Sequence, residues 1–192
     1  MIISPLAFLR VGLLLLLGVI LQLSVVGQIG VLGGYADLTP LLVAAVAYYG
    51  GSVAGSATGF AAGVLLDLAT GATMGASSLV LTAVGYAVGR FREVRDPSHG
   101  LLPVPIGAAA TLGWAAAYAG VSFMLDIGAT VSPLVLRDAL ITVLLNSLLA
   151  LPVFVGARKL LRPSLAVDPY DRRRRRRAPR ETGPIGLRGL EV

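Results

Sequence analysis

Residues 51–75 read GSVAGSATGFAAGVLLDLATGATMG. Glycine stands at 51, 55, 59, 63, 71 and 75, Asp67 fills the remaining place of this four-residue repeat, and the run holds no other charge. If residues 53–69 form a helix, Gly55, Gly59 and Gly63 lie above one another and make a ridge without side chains. Each internal glycine disfavours the helix by about 1 kcal/mol relative to alanine, so three cost roughly 3 kcal/mol, which close backbone approach by a neighbour must offset. In lipid such close approach is a main route to helix association, because the tails are as apolar as leucine and supply no hydrophobic drive between helices. The stretch therefore predicts a packing surface inside a membrane.

Composition agrees. The 192-residue chain is 56% hydrophobic and only 14% charged, against about 25% charged in ordinary soluble domains. The expected class is an all-α integral membrane bundle. With no cysteine, neither a disulfide framework nor a thiolate metal site can form. The net charge of +6 is concentrated in one place, since Arg172, Arg173, Arg174, Arg175, Arg176 and Arg177 are consecutive. The single histidine, His99, lies in RFREVRDPSHG with no second metal ligand near it, and the chain has no Walker loop, HExxH or nucleophile elbow. Catalysis, metal binding and cofactor binding are therefore not expected.

Working outward from the glycine stretch, uncharged runs predict spans at about 8–26, 36–50, 53–69, 75–90, 101–124 and 134–157. The first follows Arg10 and is succeeded by QIGVLGGY, which offers no small-x-small cleavage site, so it is read as a retained span and not a leader. Residues 27–37 read as a glycine-rich loop. The second span is short: as a helix, its fifteen residues reach only about 22 Å of a hydrocarbon core about 30 Å thick. It must sit within the bundle, thin the bilayer, or merge with its successor into one kinked helix over 38–66. Charge placement decides for separate spans, because merging would put Arg90, Arg92 and Arg95 on the opposite side from Arg10. Ser132 and Pro133 mark the start of the last span. In this six-span topology all sixteen Lys and Arg except Arg137 face the cytoplasm, and so do both termini. Residues 163–192 are expected to form a disordered basic cytoplasmic tail.

Few polar residues interrupt the spans. Asp67 lies near the outer end of the third, where the helix C-terminal dipole disfavours an anion. It needs a partner: either the backbone of the Thr70–Gly75 turn, or Arg137 in an intramembrane pair clamping the third span to the sixth. Gln22, Ser24 and Asn146 read as interhelical hydrogen-bonding groups, and Trp114 and Tyr118, one turn apart, as packing residues. Arg172–Arg177 could attract anionic lipid or act only as a topology signal; nucleic-acid binding ranks below both.

The block from Gly51 to Phe91 resembles the rod-shape-determining MreD family. Members carry a similar G-F-x-x-G-x-x-x-D segment, a short glycine-containing loop, and a Leu-rich helix ending in G-Y-x-x-G-R. Gly59, Phe60, Gly63, Asp67, Gly71, Gly75, Gly85, Tyr86, Gly89 and Arg90 match. Many such sequences place proline directly before the Asp that opens the second span; here the order is ADLTP, over 36–40. Gly85 and Gly89 join Gly51, Gly55, Gly59, Gly63, Asp67, Gly71 and Gly75 as candidate helix-packing or partner-binding positions. The resemblance implies a non-enzymatic subunit of the cell-elongation machinery in the bacterial cytoplasmic membrane. Its implied partners are an MreC-like bitopic protein, an MreB-like filament, and the SEDS glycosyltransferase with its penicillin-binding transpeptidase. It also implies a fold similar to the substrate-binding subunits of energy-coupling-factor transporters, which makes a small-solute carrier subunit the alternative function. A scaffold would offer the ridge, or another lipid-facing surface of small residues, to a partner's helix; a carrier would enclose a polar pocket.

Overall fold

The computed structural model describes residues 5–31, 33–95, 102–125 and 133–161. Among these described residues six α-helices follow one another: α1 Pro5–Ser24, α2 Leu38–Gly50, α3 Ser52–Thr70, α4 Ala76–Val94, α5 Pro103–Met124 and α6 Pro133–Leu161. α1, α3, α5 and α6 are long and apolar enough to cross a membrane. α4 matches α3 in length but carries Arg90, Arg92 and Glu93 near its end. Residues 162–192, including Arg172–Arg177, and the loop holding His99 lie outside the described residues.

α2 is the axis of the bundle. Asp37 caps its start, the Asp37 carboxylate accepting from the Thr39 amide at 3.0 Å, and Gly51 with φ +92° turns the chain directly into α3. At thirteen residues α2 is only about 20 Å long. It sits inside the bundle, in contact with each of the other five helices, and Leu41 and every residue from Val43 to Tyr49 are at most 3% exposed. A helix apolar all round can face lipid or be enclosed by its neighbours, and this one is enclosed. Tyr48, Tyr49 and Phe154 of α6 pack as an aromatic trio with ring centroids 5.1 to 6.3 Å apart.

The expected loop over 27–37 has more structure than its glycines suggested. A short 3₁₀ turn, Val26–Gln28, leads to an antiparallel ribbon pairing Gly30 with Tyr35 and Val31 with Gly34. The ribbon lies against the start of α6, close enough that a Cβ on Gly34 would come within 3.0 Å of Ile141 and of the Asp138 carbonyl. Non-helical backbone at such a position is tolerated where it is packed against protein and bonds to itself.

Candidate functional site: a closed glycine seam and a buried polar node

The glycine ridge of α3 is covered by α4 of the same chain. A Cβ placed on Gly55, Gly59 or Gly63 would fall within 3.0 Å of the backbone at Gly85, Leu81 or Ser78 respectively, and one on Gly85 or Gly89 would strike Gly55 or Ser52. The two glycine rows thus face each other along an antiparallel contact, and no side chain separates the backbones. Of the two roles expected for Gly55, Gly59, Gly63, Gly85 and Gly89, helix packing or partner binding, they fill the first: their surface is covered from within the chain and is not open to a partner. Gly51, Gly71 and Gly75 have positive φ values of 92°, 66° and 95° and shape the turns at the ends of α3 and α4.

A carboxylate closes each end of this hairpin. Asp67, fully buried near the C-terminus of α3, accepts from the Gly75 amide at 2.8 Å and the Ser77 amide at 3.3 Å, at the N-terminus of α4. Glu93, near the C-terminus of α4, accepts from the Ser52 amide and the Ser52 hydroxyl, both at 2.8 Å, at the N-terminus of α3. Each acid would be disfavoured at its own helix end and is favoured by the amides and dipole of the neighbour's start. The Ser52 backbone and side-chain bonds, and then the Arg90 guanidinium 3.5 Å away, hold the Glu93 carboxyl below its ordinary range. The proposed Asp67–Arg137 clamp is not formed. Arg137 instead lies 3.2 Å from the carboxylate of its neighbour Asp138, and the turn backbone supplies what Asp67 needs.

A second polar cluster gathers at the start of α2 from four helices. The Asp37 carboxylate accepts from the Trp114 indole of α5 at 2.9 Å. Asn146 of α6 accepts from the Asp37 amide at 2.9 Å and donates to the Asp37 carbonyl at 2.8 Å and the Thr111 hydroxyl at 2.9 Å. Gln22 of α1 accepts from the Leu38 amide at 2.8 Å and donates to the Ala36 carbonyl at 3.1 Å. The free amides of a helix start buried in a membrane must be satisfied by side chains, and here α1 and α6 reach the backbone while α5 takes the capping carboxylate. Asn146 and Gln22 do hydrogen-bond between helices, as their polarity predicts. Trp114 does more than pack: besides stacking on Tyr118 with ring centroids 5.0 Å apart, it anchors Asp37. Sequence reasoning passed over the assembly because its members are scattered, one or two to a helix. The available signal was their scarcity, since each polar group within a span must find another.

No group of three or more metal-ligating side chains occurs among the described residues. What the arrangement can do is hold helices in fixed register. The fold and these interior contacts define an all-helical integral membrane bundle whose buried polar groups serve its own architecture. The model of the family described as rod shape-determining protein MreD matches residues 3–163, and the chain belongs to that family. Its role is accordingly in rod-shape determination, in a family of structural membrane proteins and not a known enzyme family. No curated protein and no solved structure matches the chain, so the expected likeness to energy-coupling-factor subunits rests on the sequence resemblance alone.

Proposed function

We propose that the chain is a non-enzymatic scaffold subunit of the bacterial cell-elongation complex, lying in the cytoplasmic membrane with both termini inside. It binds a single-span, MreC-like partner through helix contacts, and through that partner an MreB-like filament and the SEDS and penicillin-binding pair. With the glycine seam closed by α4, the observation that carries this reading is a different surface. α1, α2 and α3 border an open apolar groove of about 480 Å³. One wall is Ala54, Ala57, Thr58 and Ala61 of α3, and facing it is Gly12 of α1, where an added Cβ would meet nothing within 4 Å. The outward faces of α6 and of α1 away from the groove bear leucines instead: Leu13 and Leu17 on α1, Leu140, Leu144 and Leu148 on α6. Small residues on an outward face allow a second helix to approach. Glu93 lies at one end of the groove, and its carboxylate suits the basic flank that single-span proteins carry on the cytoplasmic side.

Two experiments test this. Depletion of the protein should turn rods into spheres, whereas normal shape with a new nutritional requirement would point to a carrier. Ala57→Leu with Ala61→Leu should abolish copurification of the bitopic partner while leaving the thermal midpoint of the purified protein unchanged; retained copurification would remove the groove from the interface. The carrier alternative requires a polar chamber, and the grooves beside α3 and α4 are apolar.

A further inference from the structure

On the other side of α4 lies a second groove, about 390 Å³ in volume, between α4 and α5. Val84, Ala87 and Phe91 form one wall, Ile106, Ala109 and Gly113 the other, and no lining residue has a polar side chain. The groove is wide where α5 could have closed it, for a Cβ on Gly113 would touch only Val84, at 3.9 Å. Its end differs from that of the partner groove. There the lip is the Glu93 carboxylate; here the Arg95 guanidinium lies 5.3 Å over the ring of Phe91, a wall residue. Arg90 and Arg92 stand on the same last turns of α4.

We infer that this groove holds an acyl chain of an anionic phospholipid whose phosphate is bound by Arg95. Stacking on an aromatic face fixes the guanidinium plane and leaves its N–H edge available, and that planar fork matches phosphate geometry. An apolar slot below a cation is the complement of an amphiphile with an anionic head. A partner helix fits this lip badly, because the flank of a membrane helix at the basic end of a bundle is itself rich in Lys and Arg. Anionic headgroups are drawn to the same cations. The site depends on neither the scaffold reading nor the Arg172–Arg177 cluster.

Native mass spectrometry of the full-length protein, titrated with phosphatidylglycerol and phosphatidylcholine of equal chain length, tests it. The wild type should retain phosphatidylglycerol about fivefold more than phosphatidylcholine, the ratio expected for one well-placed Arg. Arg95→Gln should bring the ratio close to one. Ala87→Leu with Ala109→Leu, both exposed positions that fill the slot, should reduce adducts of both lipids while Arg95 is intact. Neutralising Arg172–Arg177 to Gln should leave the ratio unchanged. The proposal is overturned if preference survives Arg95→Gln and disappears in the tail-neutralised protein. It is equally overturned if the slot-filled protein binds both lipids as before, or loses a copurifying protein and no lipid.

Discussion

Asp67 shows how one residue resolves a conflict that its position creates. A carboxylate in a spanning helix costs about 2.5 to 3.5 kcal/mol at the centre and less near an end, and two amide donors from the next helix offset that. Asp67→Ala leaves the buried Ser77 amide without its acceptor, at about 1 to 3 kcal/mol, and removes the part-buried bond from Gly75 as well. The thermal midpoint in detergent should fall sharply, and less for Asp67→Asn, which keeps one acceptor oxygen. Exchanging the charges, Asp67→Arg with Arg137→Asp, should recover nothing over Asp67→Arg alone in membrane abundance, because Arg137 is engaged with Asp138. Glu93 gives a pH dependence. Its carboxyl is held below the ordinary value, so the folded state binds the proton less readily than the unfolded chain. The resulting stability is present above the ordinary Glu value of about 4.3 and is lost as pH falls through the lower folded value. The difference in thermal midpoint between wild type and Glu93→Gln should be constant near neutrality and vanish only at acid pH.

At the scale of the element, α3 and α4 behave as one unit joined along its length by glycine and at its ends by carboxylates. Helix propensity alone says that alanine at position 59 should help by about 1 kcal/mol. The seam reverses the sign, because the added Cβ meets the Leu81 backbone and the helices must move apart, an overpacking cost of about 1 to 3 kcal/mol. Gly59→Ala should lower the thermal midpoint of the isolated protein, and Gly59→Leu should lower it further together with membrane abundance. A partner-facing ridge would give the opposite result, loss of the complex with the isolated protein unharmed. The repeat at Gly55, Gly59 and Gly63 made a tight seam legible in sequence. It did not disclose the occupant, since a backbone trough accepts a helix from the same chain or from another equally well. The nearer answer prevails because a short turn through Gly71 and Gly75 brings α4 alongside at little entropic cost.

The whole molecule is built around a helix too short to span. Hydrophobic runs and charge placement made the six helices readable, because lipid permits few alternatives to a helix. The end of α2 was marked by Gly50 and Gly51, but its centrality was not, since uniform apolarity suits a lipid-facing helix as well as an enclosed one. The ribbon at 30–35 and the node at Asp37 were hidden for another reason: they depend on pairings between residues far apart in the chain. Asn146 joins α2 to α5 and α6 with three hydrogen bonds. Asn146→Ala should therefore destabilise by about 2 to 4 kcal/mol, seen as a lower thermal midpoint and as faster amide exchange at Asp37 and Leu38. Asn146→Asp should not rescue it, having lost the donor that meets the Asp37 carbonyl and Thr111.

That node also sets an order on biosynthesis. Asp37 emerges from the ribosome 109 residues ahead of the asparagine that completes its bonding. At about 5 to 20 residues per second the wait is roughly 5 to 20 s. For that interval the start of α2 carries one amide and one carbonyl, both of Asp37, without the side chain that bonds them, and lipid will not solvate either. A chain truncated before α6 should therefore be cleared from the membrane faster than the full chain, which a pulse-chase comparison of the two measures.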